Sequence, residues 1–171
     1  MTCTYIRAMR IRPVFACFLV AALPARAVVI GEPLARDGLV IAPSYQTGVQ
    51  IDRMMRPPES VHLEADVRAH DNVNGFAEHD FIPYLTINYA LTRDDNSTFK
   101  KSGLLYPMVG VNGPHYGAFA ELTPGTYHLT YIISPPSSHG MLRHIEATGR
   151  VSEWFKPITG SWTFTYPEKT P

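Results

Sequence analysis

Apolar and polar residues alternate most regularly in residues 61–67. This period of two predicts a β-strand that packs one face against a core. Successive side chains of a strand point to opposite faces, so His62, Glu64 and Asp66 share the other face, with about 6.5–7 Å between alternate positions. The face predicted to enter the core consists of Val61, Leu63, Ala65 and Val67.

Short runs of this kind recur along the chain and are separated by turn-forming residues, with fifteen prolines and twelve glycines in all. This spacing leaves little room for helices and predicts an all-β antiparallel sandwich of one domain. The longest irregular stretch, about 135–149, contains His139 and His144 and is predicted to be a loop. The predicted strands are residues 38–42, 49–54, 60–69, 84–92, 104–111, 116–122, 126–134 and 162–166.

The N-terminus has the organisation of a secretory signal peptide. Arginines at positions 7, 10 and 12 precede a ten-residue apolar run at 14–23, and Ala25-Arg26-Ala27 fits the cleavage rule. A bilayer span needs about 20 apolar residues, so this run is too short to be one. The sequence therefore predicts a signal peptide at 1–27 and a periplasmic domain at 28–171.

Removal of that peptide changes the charge and the thiol content. The whole chain has 15 basic and 15 acidic residues, but four arginines lie in the peptide, which leaves 11 basic residues and a net charge of −4. No cluster of basic residues suggests a nucleic-acid partner. Both cysteines, Cys3 and Cys17, are also removed, which excludes thiol catalysis and cysteine-containing blue-copper sites.

Several residues could together bind a metal. His62 and Glu64 share a strand face, Met108 and His115 flank a Gly-Pro turn, and His144 lies on the long loop. Imidazole together with thioether favours copper, and especially Cu(I), over calcium or magnesium. Taken singly, each residue also has an ordinary explanation, such as a solvated strand face, a methionine filling the core or a surface histidine. The remaining histidines, at positions 70, 79, 128 and 139, have no comparable sequence neighbours, although His79 and Asp80, on the loop before residues 82–84, could be peripheral ligands.

Longer motifs cover nearly all of residues 28–171. They include Val61-His62-Leu63-Glu64-Ala65-Asp66, Ile82-Pro83-Tyr84-Leu85-Thr86-Ile87, Pro107-Met108-Val109, Gly113-Pro114-His115-Tyr116-Gly117-Ala118, Pro135-Pro136-Ser137 and Arg143-His144. With these motifs, which occur in family order, the chain resembles the bacterial periplasmic iron-transport-associated proteins, a family of copper-binding β-sandwiches.

The resemblance implies an immunoglobulin-like sandwich that forms a homodimer, with a copper site made of His62, Met108, His115 and His144. It also implies that Glu64 contributes to an alternative or neighbouring position, for which iron, manganese and zinc are candidates. The implied function is support of iron acquisition beside an inner-membrane iron permease. The implied protein is not an enzyme, although redox assistance by the bound metal is compatible with its ligands.

Two other functions remain open at this point. A periplasmic copper chaperone or storage module would use the same ligands with a different partner, and an adhesion-type sandwich would carry its histidines incidentally. The sequence also departs from the family pattern, with Phe81 and Phe155 where tryptophan is usual and Asn112 where an acidic residue is common. These departures affect the expected tuning of the site, whereas the implied ligands are all present.

Overall fold

Nine β-strands and one 3-10 turn make up the domain, in a computed structural model that describes residues 27–168. The predicted signal peptide lies outside this range except for Ala27, and it stays a prediction. The strands are β1 Val28–Val29, β2 Leu34–Arg36, β3 Leu39–Gln46, β4 Ser60–Ala69, β5 Thr86–Arg93, β6 Lys100–Gly110, β7 Gly113–Glu121, β8 Gly125–Ser134 and β9 Ile158–Tyr166.

All strand pairs are antiparallel, in the order β1-β3-β4-β7-β6-β5-β8-β9, with β2 also paired to β3. Strand β6 belongs to both layers, because residues 100–105 pair with β5 and residues 106–110 pair with β7. The sheet therefore curls over on itself and buries its inner face, which confirms the predicted all-β antiparallel sandwich. No helix within residues 27–168 has the length and apolar character needed to cross a membrane.

Three fully buried tyrosines connect the core to the backbone around it. The Tyr116 hydroxyl donates to the carbonyl of Ile82 at 2.8 Å, and the Tyr131 hydroxyl donates to the carbonyl of Glu64 at 2.9 Å. Tyr127 makes a similar bond to a nearby loop carbonyl. Each ring thus buries apolar area while its polar end is satisfied. The bond from Tyr131 fixes the backbone of β4 at the position where Glu64 projects outward.

The predicted strand at 49–54 is wrong. Only an isolated bridge joins Ile51 to Met54, because the chain turns back at Arg53, whose φ is 60°. Strand β3 extends to Gln46, past Pro43 and beyond the predicted end at residue 42, and the Pro43 carbonyl accepts a bond from the Ile30 amide. Strands β6 and β9 start at residues 100 and 158, four positions earlier than predicted in each case.

Candidate metal centre

The sheet register brings three of its strands to one site on the outer face of the sandwich. His62 and Glu64 lie on β4, Glu64 pairs with Gly117 on β7, and His115 on β7 pairs with Met108 on β6. Residues that pair directly across strands project to the same face. The register thus places two imidazoles, a carboxylate and a thioether around one patch of the sheet, on the face opposite to Val61 and Leu63.

At the site, this outer face is shielded from solvent. The ordinary explanation of the polar positions, a solvated strand face, therefore does not apply here. His62 is 2% exposed and Glu64 is 8% exposed, although both point away from the hydrophobic core. They line a cavity of about 650 Å³ together with Met108 and His115, and the 109–114 turn and residues 49–52 form part of its wall. The site is therefore a recess enclosed by segments that follow β3 and β6.

Glu64 is the hub of the polar contacts in this recess. Its Oε1 atom lies 2.8 Å from His62 Nδ1 and accepts a bond from Gln46 Nε2 at 2.9 Å, while Ser44 Oγ donates to Oε2 at 3.1 Å. Burial by itself would raise the pKa of Glu64, but the bonds from His62 and Ser44 and the charges of His62 and His115 lower it overall. Glu64 is therefore a carboxylate that only accepts hydrogen bonds at neutral pH.

This acceptor determines how the imidazoles are oriented. Because Glu64 can only accept, His62 carries its proton on Nδ1 and leaves the lone pair of Nε2 free. His115 also carries its proton on Nδ1, because this atom lies 3.3 Å from the carbonyl oxygen of Gly113, which can only accept a hydrogen bond. Both Nε2 atoms are buried and have no hydrogen-bond partner among the described residues. Two unpaired lone pairs in one recess are what a metal ion would satisfy.

The distances within the recess also suit a shared ion. One ligand atom each from His62, Glu64 and His115 lies within 4.8 Å of the others, and the two imidazole centroids are 5.6 Å apart at 72°. The His62 ring occupies the space above Gly117, where an added Cβ would lie only 2.7 Å from His62 Cε1. Met108 adds a soft sulfur donor to these nitrogen and oxygen donors, a combination that suits copper. The residues present therefore fit a copper ion.

The structure does not bring every predicted ligand to this recess. His144 lies in the coil that follows the 3-10 turn Pro136–His139, with its side chain 80% exposed and 3.1 Å from Glu146. It does not line the cavity. Asp66 does line the cavity, but its carboxylate is paired with Arg68 at 2.6 Å. In a single chain the site thus comprises His62, Glu64, Met108 and His115.

Three supporting residues of the site were absent from the sequence prediction. Ser44 and Gln46 hold Glu64 from β3, and Gly117 makes room for the His62 ring. The signal for the first two was present, because they alternate with Pro43 and Tyr45, but the predicted strand ended at residue 42. The space-making role of Gly117 depends on its register opposite β4, which a single strand does not reveal.

Comparison with known proteins identifies similar chains. The sequence model of the family described as "Fe2+ transport protein" matches residues 24–168. A UPF0423 protein of Brucella abortus is 42% identical over 151 residues, which cover 83% of this chain and 82% of the relative.

Two solved structures have the same fold over most of their length. A copper-bound variant of Campylobacter jejuni P19 is 36% identical with a TM-score of 0.78, covering 82% of this chain and 97% of that one. FetP of uropathogenic Escherichia coli, expressed recombinantly in the periplasm, is 38% identical with a TM-score of 0.77, covering 82% and 96% respectively.

Proposed function

The chain belongs to the Fe2+ transport protein family, and from this membership we propose that it is a periplasmic copper-binding protein that supports iron acquisition. The predicted signal peptide agrees with a periplasmic location. The copper-bound P19 variant supports copper binding, and the periplasmically expressed FetP agrees with the location; both share the fold over more than nine-tenths of their chains. The link to iron rests on the description of the family.

The observation that carries the proposal is the pair of buried, unpartnered Nε2 atoms of His62 and His115. Burying a polar atom without a partner costs about 1–3 kcal/mol, so two in one recess indicate a ligand. Nitrogen donors suit Cu(II), and the Met108 sulfur suits Cu(I), so this set can hold copper in both oxidation states. Glu64 serves the site by orienting His62 and by adding negative charge beside the cation.

Copper of this kind would supply one-electron chemistry to the iron that passes through the periplasm. His62, Met108 and His115 would hold the copper, and as Cu(II) it would supply one-electron oxidation of Fe(II) to Fe(III). The chain itself contributes the fixed imidazoles and the enclosed recess, and removal of the predicted signal peptide would leave a net negative charge that favours cations over anions. The proposed role is redox assistance to uptake, with an inner-membrane iron permease as the partner that receives the iron.

We further propose that the protein acts as a homodimer in which His144 of a second copy completes the copper site. The segment around His144 exposes Leu142 and Ile145, at 91% and 69%. The turn beside the recess exposes Val109 and Val111, at 79% and 104%. Exposed apolar residues at both places suit a protein contact that would bring the segments together.

Copper binding is tested by chelator-competition titrations with Cu(I) and with Cu(II). His62→Ala removes a nitrogen donor and should weaken both affinities at least tenfold, about 1.4 kcal/mol. The control is His128→Ala, because His128 lies on the exposed face of β8 and bonds to Asp94 and Thr163 instead. Equal copper affinity in wild type and His62→Ala would contradict the proposed site.

The role in iron acquisition is tested separately from copper binding. Anaerobic addition of Fe(II) to the Cu(II)-loaded protein should bleach the copper d–d absorption band with one-to-one stoichiometry. A strain lacking the protein should grow poorly under iron limitation and normally under copper stress. The reverse growth pattern would favour the copper chaperone or storage function instead.

A further inference from the structure

A second group of metal-ligating side chains lies on the loop between β4 and β5, away from the copper recess. Sequence spacing gave His70 and His79 no common neighbours, but the backbone brings them to the two sides of one loop. The Ala69 amide donates to the Asp80 carbonyl at 2.8 Å, and the His79 amide donates to the Ala69 carbonyl at 2.9 Å. These bonds close the loop at its base and hold residues 70 and 79 next to each other.

Glu78 connects the side chains of this loop. Its Oε1 atom is 2.7 Å from His70 Nδ1 and 3.7 Å from His79 Nδ1, and its Oε2 atom accepts the Asp71 amide at 3.0 Å. The Asp71 carboxylate lies 3.8 Å from His70 Nε2. One ligand atom each from His70, Asp71 and Glu78 lies within 4.8 Å of the others.

We propose that His70, Asp71 and Glu78 form a second metal site, which His79 closes, for a borderline divalent cation of the Zn²⁺ or Cu²⁺ type. Imidazole nitrogens and carboxylate oxygens are the donors of such ions. The loop has no sulfur donor, so it offers no preference for Cu(I), unlike the recess with Met108. Its two carboxylates compensate the charge of a dication, and the 84%-exposed His79 side chain is free to rotate onto the ion.

Zinc is the probe for this site, because it is redox-inert and accepts these donors in tetrahedral geometry. The copper recess is first disabled by the double substitution His62→Ala and His115→Ala. Equilibrium dialysis of this variant against Zn²⁺ should still show one saturable equivalent. Adding Glu78→Gln or His79→Ala should weaken that equivalent at least tenfold. Glu78→Gln keeps an amide oxygen to accept the Asp71 amide, so the loop should stay folded.

The control variant is His128→Ala. His128 is an exposed histidine that pairs with one carboxylate, that of Asp94, and this pair has no third ligand among the described residues. The substitution should leave zinc retention unchanged. The same Glu78→Gln substitution in the wild-type background should lower the total zinc capacity by one equivalent, so the test stands even if the recess variant folds poorly. The proposal is overturned if the recess variant retains no saturable zinc, or if neither loop substitution affects the equivalent it retains.

Discussion

Gly117→Ala should remove copper binding by displacing the His62 imidazole. Gly117 has no positive φ, so the β7 backbone itself accommodates alanine. The added Cβ would lie 2.7 Å from His62 Cε1, closer still to Nε2, and 3.2 Å from the Leu63 carbonyl oxygen. The perturbation therefore acts on the metal-facing edge of one ligand.

The size of the required movement follows from these distances. Ordinary carbon contacts begin near about 3.5 Å, so the ring must retreat by roughly 0.8 Å or more. Metal–ligand bonds tolerate departures of only about 0.2 Å. The ring has little room for such a shift, because Phe119 and His115 stand 5.8 Å and 5.6 Å from it, centroid to centroid. We expect copper affinity to fall by at least roughly 100-fold, since even supporting residues are worth about 10–100-fold.

Overpacking also costs stability, about 1–3 kcal/mol, and this needs a matched control. Gly160→Ala introduces a comparable clash on β9, with the new Cβ 2.9 Å from Trp162 Cζ3, and Gly160 does not line the recess. Both variants should show a lower free energy of unfolding by urea, but only Gly117→Ala should lose copper in chelator competition. A folded Gly117→Ala protein with wild-type copper affinity would refute the placement of His62 in the site.

Three further outcomes are expected. Met108→Leu should cost less than about 1.5 kcal/mol of stability and weaken Cu(I) binding far more than Cu(II) binding, as measured by paired titrations; equal losses would contradict a sulfur ligand. The pKa of Glu64 is lowered in the folded state, so the stability that ionised Glu64 contributes is present above the unfolded pKa and is lost as pH falls through the folded pKa. Below pH about 4, the urea midpoint of the metal-free protein should therefore fall more steeply for wild type than for Glu64→Gln. Burial raises the pKa of Tyr116 to about 12, so the stability that its protonated hydroxyl contributes is present below the unfolded pKa near 10 and is lost as pH rises toward 12. In the same urea assay, stability should fall more steeply at alkaline pH for wild type than for Tyr116→Phe.

The strand pattern was enough to predict β4 and the side on which His62 and Glu64 project. Alternation separates the two faces of a strand, but it does not say what covers the outer face. Here the outer face is covered by the turn after β6 and by the segment after β3. No local sequence pattern predicted that these two segments would cover it. The burial of His62, and hence its unpartnered Nε2, could therefore be learned only from the folded chain.

The positions of the loop histidines could not be predicted from the sequence. His144 has no periodic context, and its place relative to the recess is set by packing rather than by spacing. His70 and His79 are neighbours because the Ala69 amide donates to the Asp80 carbonyl and the Ala69 carbonyl accepts from the His79 amide. This closure of the loop has no sequence signature. In contrast, Met108 and His115 were predicted to converge because a tight turn between two strands fixes their register.

The position of bound copper can be measured by anomalous diffraction at the copper edge, from crystals of the copper-loaded protein. We expect a strong peak within bonding distance of His62 Nε2 and His115 Nε2, beside the Met108 sulfur. Copper found only at the His70–His79 loop or elsewhere on the surface, with none in the recess, would contradict this expectation.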